Sequence, residues 1–207
     1  MSNLRLDQQQ LVNWIKPNSK VLDLGCGNGE LLAYLAKHKQ VQGYGLEIDD
    51  ANVVSCIEKG VNVIQRDIDA GLSEFEKDFF DYVILSQTIQ AVRSPEKTLS
   101  EMLRVGCKGI VTLPNLGHWR IRMQMGLGGK TPLTAEFPHS WYDTPNIHVC
   151  TIDDFENFCQ NKNVKIVRKK AFGSSHKSGL LIDTFPNVFA TTAVYKLCRN
   201  CPDEKPE

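Results

Sequence analysis

Apolar positions along the chain follow two rhythms. Short apolar-rich runs, Lys20 to Leu24, Val41 to Ile48, Val61 to Gln65, Phe80 to Leu85 and Lys108 to Leu113, have the length and side chains of buried strands. Between them apolar residues recur at helical spacing. Glu30 to His38 sets Leu31, Leu32, Leu35 and Ala36 on one face. Asp49 or Asp50 caps a helix with Val53, Val54 and Ile57 turned inward, and Gly60 stops it. Ser94, Pro95 and Glu96 supply a cap, a first-turn proline and a first-turn acid for a helix burying Leu99, Met102 and Leu103. Thr151 caps a further helix with Phe155, Phe158 and Cys159 inward. Val164 to Lys169 and Thr191 to Leu197 are the last two strands.

Strand alternating with helix predicts an α/β fold with a doubly wound, mostly parallel seven-stranded sheet. Phe80 to Leu85, the most apolar run, is predicted to be central. Residues 1–198 read as one domain and 199–207 as a polar tail. The 37 residues from Pro114 to Cys150 form a long irregular insertion after the fifth strand. Its aromatics and histidines argue against disorder, and a loop of this length is expected to be a lid over the site.

Composition narrows the classes. With 207 residues, 42% apolar and 23% charged, the chain is globular. Lys+Arg and Asp+Glu both number 24, so there is no global field to hold nucleic acid. Arg168-Lys169-Lys170 is short and reads as a solvated strand end. No apolar run reaches the length of a membrane span, and the first residues lack a signal layout, so no membrane partner and a cytoplasmic protein are expected. Seven irregularly spaced cysteines read as reduced thiols. Cys198 and Cys201 form a lone CxxC without further ligands for zinc, so no metal is expected.

The chemistry concentrates in VLDLGCGNG. Gly25, Gly27 and Gly29, with Cys26 among them, follow a strand and open a helix. The spacing is one residue short of a dinucleotide loop, and Asp23 just before it would repel a pyrophosphate. A carboxylate there suits a cation, such as the amino group of S-adenosylmethionine. Glu47, at the end of the second strand, lies 24 residues after Asp23, where an acid accepts from ribose hydroxyls. Asp67 follows the third strand and could accept from an adenine amine, with Ile48 and Ile68 sandwiching the ring. Ser86 and Gln87, after the fourth strand, would line the methionine and methyl end. The series at these ordinal positions points to a site for S-adenosylmethionine or its demethylated product, S-adenosylhomocysteine.

The sequence resembles the class I S-adenosylmethionine-dependent methyltransferases, which implies a Rossmann-like fold. The stretches YGLEID, VNVIQRDID, FDYVILSQTIQAV, LPNLGHWRIRMQ and WYDTPNIHVCTIDDFENFC extend the resemblance to the bacterial MetW family of methionine biosynthesis proteins, from about Pro17 to Lys196. That resemblance implies association with homoserine O-acyltransferase, as its partner or activator. It maps Asp23, Gly25, Gly27, Gly29, Glu47, Asp67 and Ser86 onto cofactor positions. Arg66 departs from the small residue many such enzymes carry before the acid.

Two functions from different classes remain open. One is a regulatory subunit that senses S-adenosylmethionine and binds the acyltransferase. The other is a small-molecule methyltransferase with an unknown acceptor. His118 and His148 are the candidate general bases, or they satisfy loop backbone. Arg120 and Arg122 could clamp a carboxylate or lie solvated. Trp119, Trp141 and Tyr142 suit an acceptor cage, a partner interface or the core of a lid.

Overall fold

The structure, a computed structural model, describes residues 4–173 and 179–199. Its centre is a seven-stranded sheet in the order β3-β2-β1-β4-β5-β7-β6. The strands are β1 (Lys20–Leu24), β2 (Gln42–Glu47), β3 (Asn62–Gln65), β4 (Phe80–Ser86), β5 (Gly106–Pro114), β6 (Lys165–Phe172) and β7 (Thr192–Cys198). β1 through β5 run parallel. β7 lies antiparallel to both β5 and β6. β4 is the middle strand, as its apolar run requires. The registers Asp23↔Gly45 and Asp23↔Ile84 place the end of β1 between β2 and β4.

The two faces of the sheet bury separate cores. Leu22, Leu24, Leu46, Val83, Leu85, Val111 and Leu113 meet α4 (Pro95–Val105) and α6 (Ile152–Asn161) on one face. Val21, Tyr82, Ile84, Ile110 and Val194 meet α1 (Leu6–Trp14), α2 (Glu30–Lys39) and α3 (Asp50–Glu58) on the other. Helices on both faces explain why these strands are apolar on both sides. Thr151 caps α6 in a reciprocal box with Asp154. Asp49 caps α3 by accepting from the Asn52 amide at 2.9 Å.

Several expectations are corrected. In α3 only Cys56 is buried, while Val54 and Ile57 are 55% and 64% exposed. β3 is an edge strand, so α3 has sheet beneath only one side. α1 carries no clear apolar period, yet it buries Leu11, Val12 and Trp14. The Lys39 ammonium anchors its end by donating to the Val12 and Ile15 carbonyls, both at 2.5 Å. The 114–150 stretch is not wholly irregular: it contains α5 (Trp119–Gly126). Before β7 lie two short helices, α7 (Leu180–Thr184) and α8 (Pro186–Phe189). Cys26, Cys56, Cys107, Cys150 and Cys159 are free thiols. Cys198 is disulfide-bonded, unlike the reduced thiol expected there. Cys201 and the tail from 200 onward lie outside the described residues. Among the described residues no helix is long and apolar enough to cross a membrane.

Candidate cofactor site and the insertion after β5

The loop after β1 turns through three left-handed residues, with φ of 76° at Gly25, 55° at Gly27 and 74° at Gly29. That conformation favours glycine. A Cβ on Gly25 would stand 2.8 Å from Thr88 Cγ2, and one on Gly29 would stand 2.8 Å from Cys56 Sγ. At Gly27 nothing lies within 4 Å of that position. Gly25 and Gly29 therefore seat the loop against the protein, and Gly27 presents its bare backbone to open space.

Glu47, at the end of β2, holds that backbone. It is 8% exposed. Its Oε2 accepts from the Gly27 amide at 2.8 Å, and its Oε1 accepts from Ile48 and Asp49 at 2.8 and 3.0 Å. Cys26 turns beneath the loop, where its sulfur lies 3.8 Å from Cys56 Sγ. Burial, with Asp23 next, pushes the Cys26 thiol well up, so its part in the loop is packing. Gly45 leaves room for it: a Cβ there would meet Cys26 Sγ.

Asp23 is 2% exposed, and its Oδ1 accepts no hydrogen bond. Burial raises its carboxyl from 3.8 to about 7; the Arg5 guanidinium pulls it down and the Glu47 carboxylate pushes it up. A buried carboxylate oxygen left unpaired is expensive in a folded chain.

The remaining expected residues surround this centre unevenly. Ser86 Oγ accepts from Arg5 Nη2 at 2.8 Å. Gln87 sits in a left-handed conformation with φ of 57°, and its amide donates to the Thr112 carbonyl at 3.1 Å. Its side chain reaches Asp7 Oδ2 at 3.4 Å. Ile68 is half-buried, with its Cδ1 3.5 Å from the Cβ position of Gly25. Ile48 is 62% exposed. Asp67 is exposed and caps a 3-10 turn through Ile68–Ala70, its Oδ1 accepting from the Asp69 amide at 2.9 Å. Arg66 pairs with Glu74 at 2.8 Å.

Arg5 and Asp7, at the start of α1, are site neighbours that the sequence pattern gave no reason to single out. Asp7 is 5% exposed and accepts from Thr112 Oγ1 at 3.1 Å.

The insertion is tied at both ends. Asn115, fully buried, donates to the Asn187 and Ala190 carbonyls at 3.0 and 2.8 Å and accepts from the Gly117 and Ile152 amides at 2.9 and 3.2 Å. The Leu116 amide donates to the Cys150 carbonyl at 3.1 Å. Its far side reaches the loop after β4: the Ile147 and His148 amides both donate to the Gln90 carbonyl at 2.9 Å. His148 is exposed, with its ring 3.3 Å from the Arg93 carbonyl. His118 is buried and stands at the N-cap position of α5 without a side-chain capping bond. Burial, reinforced by Arg120 and opposed by Glu136, lowers its pKa, so it is neutral at pH 7. It lines a cleft of about 440 Å³ with Asn115, Arg120, Gln124, Glu136 and Thr191. That cleft lies at the β5–β7 side of the sheet, two strands from β1. Arg122 turns back to the Gly117 carbonyl at 2.5 Å. Trp141 and Tyr142 are 73% and 75% exposed.

By sheet order and helix placement the chain has the Rossmann-like fold of class I methyltransferases. A solved S-adenosylmethionine-dependent methyltransferase from Methanosarcina mazei aligns with a TM-score of 0.68 at 14% identity, covering 93% of this chain and 98% of that one. The [4+2]-cyclase SpnF aligns with a TM-score of 0.65 at 16% identity, covering 95% and 82%. A cyclase on the same scaffold shows that the fold does not dictate the reaction. Sequence is more specific: the model of the methionine biosynthesis protein MetW family matches residues 5–197, and the chain belongs to that family. The bifunctional methionine biosynthesis protein MetXA/MetW of Rhodopirellula baltica is 35% identical over 200 residues, 92% of this chain and 32% of that protein. The chain thus spans about a third of that relative's length.

Proposed function

We propose that this chain binds S-adenosylmethionine or S-adenosylhomocysteine at the glycine loop and serves as partner and activator of homoserine O-acyltransferase. One observation carries the cofactor reading: Asp23 Oδ1 is buried without a hydrogen bond, beside a loop whose Gly27 faces open space. A ligand ammonium supplies the missing partner. Glu47 Oε2 accepts one bond from the protein, which leaves it capacity for a ribose hydroxyl. In this reading Asp67 accepts from the adenine amine, and Ile48 and Ile68 lie on the ring's faces. Arg66, drawn off to Glu74, leaves that space. Ser86 and Gln87 border the methionine end.

The partner reading rests on family membership and on a relative whose name joins MetXA and MetW in one protein. The insertion, residues 114–150, offers the surface. Leu133, Trp141, Tyr142 and Ile147 are 60%, 73%, 75% and 58% exposed, and exposed apolar clusters mark interaction sites. Hydrogen bonds to Gln90 tie that surface to the loop bordering the cofactor site.

Methyl transfer to a small acceptor ranks second. His118, neutral in its cleft, is the observation in its favour. Calorimetric titration with S-adenosylmethionine, alone and with the acyltransferase present, separates the two. Affinity that changes with the partner supports the regulatory reading, since coupling must be reciprocal. Unchanged affinity overturns the regulatory reading, and acyltransferase retained by the Trp119→Ala/Trp141→Ala double variant at wild-type stoichiometry removes the insertion as the interface.

A further inference from the structure

The insertion after β5 walls a second cleft, apart from the glycine loop. Its volume of about 440 Å³ is in the range of small-molecule sites. Asn115, just past β5, and Thr191, just before β7, line its floor, so β4 stands between it and β1. Ile121, 3% exposed, and Leu133 give it an apolar side. Its polar lining divides into groups already spent on the protein and groups that are not.

Asn115 is spent on the bonds that tie the insertion. Thr134 Oγ1 accepts from the Phe137 amide at 3.2 Å, and Thr191 Oγ1 donates to the Phe172 carbonyl at 3.3 Å. His118, Arg120 and Glu136 differ. None of these three side chains has a hydrogen bond or ion pair among the described residues. Arg120 lies against the Trp119 ring, 5.4 Å from its centre, with its donors unused. His118 is only 6% exposed. A neutral imidazole carries one donor and one acceptor, and a ring this buried needs partners for them. The three groups act on one space. Beneath the larger effect of burial, Glu136 raises the pKa of His118 and Arg120 lowers it.

The unspent set is a cation, an anion and a neutral donor–acceptor. Its complement is a carboxylate, an ammonium and a hydroxyl on a short chain. A simple anion would meet repulsion from Glu136, and an amino acid with an apolar side chain would leave His118 unpaired. We propose that this cleft is a second ligand site, taking a short hydroxylated α-amino acid with Arg120 on the carboxylate, Glu136 on the ammonium and His118 on the hydroxyl. The site does not rest on the cofactor reading. The choice of homoserine as its occupant rests on the acyltransferase reading. Leu133 lines both this cleft and a neighbouring one of about 630 Å³ that includes Trp141, so a bound amino acid borders the surface offered to the partner.

The test is calorimetric titration of the full chain with L-homoserine and with L-2-aminobutyrate, which lacks only the hydroxyl. Homoserine is expected to bind about 5- to 100-fold more tightly, because the analogue leaves the His118 ring unpaired. Arg120→Gln and Glu136→Gln, both outside the core, should each weaken homoserine by about 5- to 50-fold. His118→Phe should bring homoserine down to the affinity of 2-aminobutyrate. Asp23→Asn, at the glycine loop, should leave homoserine binding within about twofold. Failure of the wild-type chain to bind homoserine, or equal affinity for the two probes, overturns the proposal without any variant having to fold. Homoserine binding lost in Asp23→Asn and kept in Arg120→Gln also overturns it, by placing the amino acid at the glycine loop. The cofactor reading is decided separately, by titration with S-adenosylmethionine.

Discussion

Replacing Asp23 with asparagine should make the empty protein more stable and the ligand-bound one weaker. The folded chain holds this carboxyl at about 7 against 3.8 for the free group. That difference corresponds to about 4 kcal/mol against the charged form. Between those two values the folded state binds more protons than the unfolded one. Stability therefore falls as pH rises from about 4 to about 7, and the loss stays complete above it. At pH 8 the wild-type chain carries the whole penalty, and an amide carries none of it. The amide does bring an N–H group to a site with no acceptor, at about 1–3 kcal/mol. The net gain at pH 8 is about 1–3 kcal/mol, or roughly 2–12 °C in Tm for a chain of this size.

Thermal unfolding of both proteins at pH 8 and pH 5, without ligand, reads this directly. At pH 5 the wild-type carboxyl is protonated, so the variant's advantage should vanish or reverse. Titration with S-adenosylhomocysteine at pH 8 should show affinity falling by about tenfold to several hundredfold, because the ammonium loses its carboxylate. A variant less stable than wild type by the same amount at both pH values would refute the reasoning. It would mean that Asp23 is a satisfied structural acid rather than a charge waiting for a ligand.

Three further outcomes are expected. Wild-type affinity for S-adenosylhomocysteine should drop by about tenfold per pH unit below pH 7, because binding requires Asp23 to release its proton; titration in buffers of different ionisation enthalpy would report one proton released, and a flat profile from pH 5 to 8 would count against the assignment. Gly27→Ala should lower stability by only about 1 kcal/mol, from its left-handed backbone, yet weaken ligand binding at least about tenfold, whereas Gly29→Ala, whose Cβ would strike Cys56 Sγ, should lose several degrees of Tm before any ligand is added; equal effects of the two on both measurements would contradict the division of labour in the loop. Asn115→Ala strands two carbonyls and two amides and should cost about 2–4 kcal/mol, seen as a fall of roughly 4–16 °C in a thermal melt; a change under a degree would show that the insertion's anchor lies elsewhere.

The sheet was legible because a strand buried on both faces must be apolar throughout, and β4 shows this best. The glycine loop was legible because left-handed backbone leaves few choices of residue. Pattern failed where burial does not follow polarity. α3 carries Val54 and Ile57 at positions a periodic reading turns inward, but it packs at the sheet edge and touches the core mainly through Cys56. In α5 only Ile121 is buried, so Trp119–Gly126 presents no stripe to read. α1 hides the opposite error. Asp7 is buried and polar because Thr112, Gln87 and Arg5 meet it, and those partners lie 105, 80 and two residues away in sequence.

Glu47 shows how a residue can be found for an incomplete reason. The ordinal argument places an acid at the end of the second strand to meet a ribose. The same carboxylate also takes the Gly27, Ile48 and Asp49 amides, which would otherwise be unpaired donors at two adjacent strand ends. One side chain thus joins the loop after β1 to the turn after β2. Any ligand hydroxyl it accepts would be met by an acid already aimed by three backbone donors, with little left to reorganise on binding. The same logic applies across the site: Asp7 aims Arg5, and Glu47 aims the Gly27 backbone. Asp23 is left with a buried oxygen unsatisfied. In the proposed reading the ligand's ammonium pairs with the buried Asp23 carboxyl, so affinity and proton release should be set at Asp23 before any other residue of the loop.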